Sequence, residues 1–141
     1  MRRINQAPVR MIGRGRGPRG VVLLLTTTGR RSDLPRTAPL QFEEIGGSIY
    51  VASARGARAD WFRNAQADPQ VSVQIGDRQI QGLAEAVVAP ERIADFLQLR
   101  VERHPVMMRL MMTLEGAPPW ASRRSLERVA AKKALLIIRP R

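Results

Sequence analysis

The sequence contains no cysteine and only one histidine, His104. The absence of cysteine excludes disulfides, thiolate nucleophiles and cysteine-rich zinc sites. A single histidine also excludes, within one chain, any site that needs two histidines. We therefore expect no protein-bound metal. No apolar run approaches the roughly 20 residues of a membrane-spanning helix, so we expect no transmembrane segment.

Acidic and aromatic residues are also scarce. The 141 residues include 12 Asp and Glu against 24 Lys and Arg, which gives a net charge of +12, and only six aromatic residues. This excess implies an anionic partner, which is nucleic acid, an acidic membrane surface or a small ligand with several phosphates or carboxylates. Nearly all the basic residues are arginines, whose planar guanidinium suits phosphate and carboxylate. The length and hydrophobic content are otherwise those of one globular domain.

The N-terminal segment 1–20 has four glycines, two prolines and no apolar periodicity. We predict a flexible basic arm over 1–20, followed by a single domain over 21–141. The arm lacks the continuous apolar stretch of a secretory signal. Two interpretations stay open for it: a solvated tail, or a segment that contacts an anionic membrane or ligand.

Hydrophobic patterning predicts an α+β fold that is mainly β. The expected strands are 21–28, 37–45, 48–54, 71–75, 78–88 and 134–138, and the expected helices are 57–67, 90–103 and 105–114. Turn signals at 46–47 and 76–77 form hairpins, and no regular strand–helix–strand alternation appears. We therefore predict a six-stranded antiparallel barrel, closed or split, with covering helices.

A turn suited to an anion follows the first predicted strand. The threonine-rich strand leads into Gly-Arg-Arg-Ser and then Pro-Arg, which places hydroxyls, backbone N–H groups and the guanidinium groups of Arg30, Arg31 and Arg36 around one turn. The alternative is a solvent-exposed turn whose arginines contact nothing.

Three stretches together resemble one family. They are LLLTTTGRRSDLPRTAPL at 23–40, IYVASARGARADWFRNAQADPQVSVQIGDR at 49–78 and ALLIIRP at 134–140. Their order and spacing are similar to those of the deazaflavin-dependent nitroreductases, also called F420H2-dependent quinone reductases. The resemblance implies a split β-barrel of the FMN-binding type and a cytoplasmic enzyme that binds coenzyme F420. It also implies hydride transfer from the reduced coenzyme to a small organic electron acceptor, which is a quinone, a nitroaromatic compound or an activated alkene.

The resemblance also assigns site residues. Arg31 and Arg36 fall where the family places its phosphate-contacting Lys/Arg pair, and Trp61 falls on the wall of the cofactor site. The strand end containing Ser53 would lie beside the deazaflavin ring, where the Ser53 hydroxyl is a candidate hydrogen-bonding group for ring or acceptor. The complete predicted cofactor site comprises Thr28, Arg30, Arg31, Ser32, Arg36, Pro39, Leu40, Ala52, Ser53, Ala54, Arg55 and Trp61.

Three positions depart from the family pattern. Asp33 stands where glycine is usual, and Asp tolerates a left-handed turn conformation. Ala54 stands where a lysine is common, and Arg55 is the candidate substitute. The C-terminal tyrosines that family members use as proton donors are missing, because the one tyrosine is Tyr50.

The segment after His104 is rich in methionine. Met107, Met108, Met111 and Met112 share one helical face, which is either a buried packing face or an adaptable lid over an apolar acceptor such as a quinone. His104 is expected on the surface or at a helix start, with proton donation as the alternative.

Other functions compete with the F420-dependent reductase. The same barrel could bind FMN, or carry a flavin, haem or other tetrapyrrole without catalysis. A nucleic-acid-binding barrel using the arginine arm is disfavoured, because Phe42 and Tyr50 are the only aromatic residues on the predicted strands. The sequence is compatible with a monomer and with a homodimer.

Overall fold

The computed structural model describes residues 22–114 and 122–141. The predicted arm over 1–20 lies outside the described residues. The strands are β1 (Val22–Thr28), β2 (Pro35–Gln41), β3 (Glu43–Ile45), β4 (Ser48–Ser53), β5 (Gln70–Ile75), β6 (Arg78–Val87) and β7 (Ala134–Pro140). The helices are α1 (Asp60–Ala67), α2 (Pro90–Arg103), α3 (Pro105–Leu114) and α4 (Arg123–Ala130), and a 3-10 turn covers Gly56–Arg58.

All strand pairs are antiparallel, in the order β2-β1-β5-β6-β7-β4-β3. β2 and β3 form opposite edges of this sheet, yet only Phe42 separates them in the chain. Two consecutive Cα–Cα steps cover at most about 7.6 Å, so the two edges must meet at this point. The sheet is therefore curled into a barrel that is split between its edges, which confirms the predicted α+β split β-barrel with covering helices.

Within residues 22–114 and 122–141 the barrel has seven strands instead of the six predicted. The sequence pattern indicated one strand over 37–45, whereas the structure divides this region at the buried Phe42. On one side Thr37 pairs with Thr26 of β1, and on the other Glu43 pairs with Tyr50 of β4. The sequence pattern runs on without a break because the backbone is extended on both sides of Phe42. Strands β2 and β3 are distinguished only by the strand that each pairs with.

Two helices, α2 and α3, have the predicted bounds. The helix predicted over 57–67 begins only at Asp60, after the 3-10 turn. Helix α4 was not predicted, because its apolar pattern is short and lies among arginines. The apolar residues Leu126, Val129 and Ala130 are nevertheless buried. Ser122 caps it by accepting a hydrogen bond from the backbone N–H of Ser125 at 3.1 Å.

The core has two parts, one on each face of the sheet. Alternation along β7 shows the division: Leu136 and Ile138 face the barrel interior with Phe62, whereas Leu135 and Ile137 pack under helices α2 to α4. Both faces of β7 are therefore buried, which accounts for its unbroken apolar run. No helix within residues 22–114 and 122–141 is both long enough and apolar enough to span a membrane.

Candidate functional site

The turn between β1 and β2 is tightly closed. The backbone N–H of Gly29 donates to the Leu34 carbonyl at 2.8 Å, and that of Asp33 donates to the Gly29 carbonyl at 2.9 Å. Asp33 has a φ of 62°, which confirms the left-handed conformation expected at this position. A side chain at Gly29 would crowd the turn, because a Cβ there would lie 2.6 Å from Ser32 Oγ.

A cavity of about 440 Å³ lies between this turn, the start of β2 and helix α1. It is lined by Gly29, Arg30, Arg31, Ser32, Arg36, Thr37, Ala38, Asp60, Trp61 and Asn64. Five residues of the predicted cofactor site are thus brought together from two separate segments. The volume is within the range of about 300–1,000 Å³ that is usual for small-molecule sites.

The guanidinium and the backbone N–H of Arg30 are paired with other residues of the protein. Its Nη1 donates to Asn64 Oδ1 at 2.7 Å, its Nη2 lies 3.1 Å from Asp60 Oδ1, and its backbone N–H donates to Asn64 Oδ1 at 3.2 Å. The buried Asn64 also donates through Nδ2 to Thr27 Oγ1 at 3.3 Å. Asn64 therefore joins the turn to β1 and α1. The Arg30 guanidinium stabilises the wall of the cavity.

Arg31 and Arg36 differ from Arg30. Both are exposed and line the cavity, and neither side chain forms a hydrogen bond or ion pair with any residue that the structure describes. The backbone N–H groups of Arg31 and Ser32 likewise donate to no described residue. Two guanidinium groups and two amides are therefore available at one cavity, which is an arrangement suited to an anion with several oxygens.

The other predicted site residues do not line this cavity. Thr28 is buried, Pro39 and Arg55 are exposed, and Leu40 packs against the core. Ser53 is buried and donates its hydroxyl to the Gly56 carbonyl at 2.8 Å, which ties the end of β4 to the 3-10 turn. Its proposed contact with the cofactor ring stays a prediction.

Ala52 and Ala54 line a second, apolar cavity of about 60 Å³ on the helical side of the sheet. Its remaining lining residues are Gln41, Leu97, Arg100, Met108, Met111, Met112, Leu126, Val129 and Lys133. Met108 and Met112 are buried in the core under the helices. The methionine face of α3 thus packs as a buried face and also forms a cavity wall, and its function as a lid stays a prediction.

An ionic cluster around the buried Glu43 was not anticipated from the sequence. Glu43, at the start of β3, has its Oε2 at 2.9 Å from Nη1 of Arg103. Its Oε1 contacts Nε2 of His104 and lies 3.6 Å from Nε of Arg100. His104 therefore lies directly before the first residue of α3, the helix start expected from the sequence, and its half-buried ring is paired with Glu43. Desolvation lowers the pKa of Arg100, and the charge of Glu43 opposes this shift.

Glu43 is one of two consecutive acids, with Glu44, in a stretch that forms a strand, and an acid at such a position is the one sequence signal that points to this cluster. Its partners are about sixty residues away along the chain, so local patterns could not reveal them. Within the described residues no group of three His, Cys, Asp or Glu side chains could hold a metal ion.

The family model and the curated relatives agree on one family. The family model of the F420H(2)-dependent quinone reductases matches residues 2–115. The F420H(2)-dependent quinone reductase Rv1261c of Mycobacterium tuberculosis is 29% identical over 68 residues, which cover 46% of this chain and 46% of that relative. The chain therefore aligns with less than half the length of this curated relative.

Solved structures with the same fold include proteins of more than one activity. An F420-H2 dependent reductase, FDR-A, superposes with a TM-score of 0.56 at 24% identity, over 83% of this chain and 92% of that chain. HutZ, the haem storage protein of Vibrio cholerae, superposes with a TM-score of 0.60 at 17% identity, over 92% of this chain and 86% of that chain. At these identities the likeness concerns the fold alone.

Proposed function

Because the chain belongs to the F420H(2)-dependent quinone reductase family, we propose that it is an oxidoreductase that binds coenzyme F420 and reduces a quinone. The proposal rests on two guanidinium groups at the larger cavity, those of Arg31 and Arg36, which have no hydrogen-bonding or ionic partner among the residues that the structure describes. A nitroaromatic compound or an activated alkene is the alternative acceptor.

The negative charge of the coenzyme's acidic tail is complementary to the positive charge of this cavity. Coenzyme F420 carries a phosphodiester, a lactate carboxylate and a glutamate tail, and each offers oxygens to guanidinium forks. We assign the phosphate to the guanidinium groups of Arg31 and Arg36 and to the backbone amides of Arg31 and Ser32, which donate to no described residue. Arg30, held by Asp60 and Asn64, keeps the turn in place and so preorganises the site.

Trp61 supplies an apolar surface to the same cavity. Its ring is half-buried and packs edge-on against Phe62, with ring centroids 6.0 Å apart. This contact fixes the indole, so the ring can pack against a ligand with little loss of side-chain entropy.

The two cavities flank one strand. Ala38 of β2 lines the larger cavity and Gln41 lines the smaller one, and three residues of a strand span roughly 10 Å. A ligand anchored at Arg31 and Arg36 could therefore extend along β2 towards Ala52 and Ala54. Their small side chains allow a flat ring to approach the backbone closely.

When bound, the reduced coenzyme supplies a hydride to the acceptor. The task of the protein is then to hold ring and acceptor in contact, because positioning contributes most of what a protein can add to such a transfer. The methionine side chains of α3 give the smaller cavity a soft apolar wall that suits an aromatic acceptor.

Binding of FMN is the second candidate, because the barrel is of the type that also binds flavins. FMN carries one phosphate and no carboxylate tail, so it would leave part of the basic cavity without a partner. Titration of the protein with F420 and with FMN separates the two, and we expect the tighter binding for F420.

The test of function is oxidation of F420H2, followed by the absorbance of the oxidised deazaflavin, with quinones and nitroaromatic compounds as acceptors. We expect turnover with quinones, and a KM for F420H2 raised about 10- to 100-fold in Arg36→Ala, because one charge-assisted hydrogen-bonding group is lost. Arg63→Ala is the matched control, since Arg63 is exposed on α1 and does not line the cavity. Binding of F420 without turnover of any acceptor would instead indicate a carrier.

The cellular setting belongs to the same proposal. We infer action in the cytoplasm, with contact between the basic segment 1–20 and anionic membranes as a separate hypothesis. Vesicle co-sedimentation, with and without residues 1–20, tests that contact. Light scattering distinguishes monomer from homodimer.

A further inference from the structure

Arg100 is the most unusual residue of the second cavity. It lines this apolar space beside Met108 and Met112, but only 4% of its surface is exposed. Its guanidinium lies over the Phe96 ring, with Cζ 5.9 Å from the ring centroid. An arginine is seldom buried to this extent unless it is paired.

Glu43 does not satisfy the Arg100 donors. The distance between Arg100 Nε and Glu43 Oε1 is 3.6 Å, which is beyond a hydrogen bond. Both carboxylate oxygens already contact other groups, one on Arg103 and one on His104. Among the described residues, no acceptor reaches the buried Arg100 Nε. A buried donor without a partner is rare and calls for an explanation.

We propose that Arg100 binds an oxygen of the electron acceptor in the methionine-lined cavity and stabilises the negative charge that reduction places on it. This inference rests on the proposed function. Glu43 acts as a positioning residue, because its charge holds the guanidinium beside the cavity without using its donors. Arg100 would thus take the place of the C-terminal tyrosines that this chain lacks.

The electron balance of the step is that of quinone reduction. The quinone gains a hydride, with two electrons and one hydrogen, from the C5–H bond of the reduced coenzyme, which is oxidised by two electrons. The product is a hydroquinone anion, whose negative oxygen faces Arg100. That oxygen then takes one proton from solvent water, which completes the hydroquinone.

The size of the cavity assigns it to the acceptor rather than to the coenzyme. Its volume of about 60 Å³ is several times the roughly 10–15 Å³ that one water molecule requires, which is room for a single small ring. The tricyclic deazaflavin is larger than this space, so its ring would border the cavity near Ala52 and Ala54, where it can contact an acceptor held inside.

The test compares two redox-inert probes of similar shape, pentafluorophenolate and hexafluorobenzene, titrated into the full-length protein without coenzyme and observed by fluorine NMR. Pentafluorophenolate is ionised at neutral pH and carries the oxyanion, whereas hexafluorobenzene has no oxygen. We expect the phenolate to bind about 10- to 100-fold more tightly, the range of one hydrogen bond to a charged group. In Arg100→Met this preference should disappear.

Arg103→Met is the matched control. Arg103 contacts the same carboxylate as Arg100 but is partly exposed and does not line the cavity. The preference for phenolate should stay within about twofold of the wild-type value in this variant. An unchanged preference in Arg100→Met, or an equal loss in both variants, would overturn the proposal.

A second measurement covers the case in which Arg100→Met does not fold. In the wild-type protein the Arg100 Nε–H resonance, assigned with Arg100→Lys, should shift on addition of pentafluorophenolate and not of hexafluorobenzene. No shift at saturating phenolate overturns the inference. These experiments need no coenzyme, so failure of F420 binding and failure of the Arg100 assignment give distinguishable results.

Discussion

Replacement of Asn64 by alanine tests how the wall of the larger cavity is held. Asn64 Oδ1 accepts two hydrogen bonds from Arg30, one of them from the charged guanidinium, and Nδ2 donates to Thr27 Oγ1. Neutral hydrogen bonds contribute about 1 kcal/mol each and those to charged groups about 1.5–3 kcal/mol. The better helix propensity of alanine recovers roughly 0.5 kcal/mol. We therefore expect Asn64→Ala to lower the free energy of unfolding by about 3 kcal/mol.

The assay is urea unfolding followed by tryptophan fluorescence, since Trp61 lies on the same helix and lines the same cavity. A loss of about 3 kcal/mol is a large part of the roughly 5–15 kcal/mol typical of a domain, so the midpoint should move clearly. Gln66→Ala is the control, because Gln66 is exposed on the same helix and should change stability by less than about 0.5 kcal/mol. Equal stability of Asn64→Ala and Gln66→Ala would refute the role of the Asn64 hydrogen bonds in holding the cavity wall.

Two further predictions concern other parts of the barrel. A Cβ at Gly82 would lie 2.7 Å from Ile138 Cγ2, so Gly82→Ala should lower the free energy of unfolding by about 1–3 kcal/mol. If urea unfolding gave the wild-type stability, strands β6 and β7 would be able to move apart at this position without cost. Hydrogen bonds from Arg92 and Arg139 lower the pKa of the Glu85 carboxyl in the folded protein. The ionised carboxylate therefore stabilises the fold at every pH above the pKa that Glu85 has in the unfolded chain. This contribution is lost as the pH falls through the lower pKa of the folded state. Because Glu85 is partly exposed, Glu85→Gln should cost less than about 1 kcal/mol at pH 7 and nothing once the wild-type carboxylate is protonated; a difference that grows with acidification, measured by urea unfolding, would contradict the assignment.

The sequence predicted those parts of the fold whose signals are local. The bounds of α2 and α3 follow from helical periodicity, and the hairpin of β5 and β6 follows from alternation around a turn at 76–77. The division between β2 and β3 was missed because the extended backbone continues on both sides of Phe42. Helix α4 was missed because its buried stripe is short and lies among charges.

The candidate site shows the same division between local and tertiary information. The turn rich in arginine was recognisable from its composition, and Asp33 has the conformation expected from its residue type. The different environments of Arg30 and of Arg31 and Arg36 were not recognisable, because they depend on Asn64 approaching from α1. The pairing of Glu43 with α2 joins a strand to a distant helix, and no sequence pattern records such a contact.

The most direct test of how the coenzyme is bound compares coenzyme F420 with its deazaflavin chromophore alone, which lacks the phosphate, the lactate and the glutamates. Equilibrium fluorescence titrations of the wild-type protein, Arg31→Ala and Arg36→Ala give both affinities for each protein. Each substitution should weaken F420 binding by about tenfold or more and leave chromophore binding within about twofold. Equal weakening for both ligands, or F420 binding that is unchanged by either substitution, would contradict the claim that these two guanidinium groups bind the acidic tail.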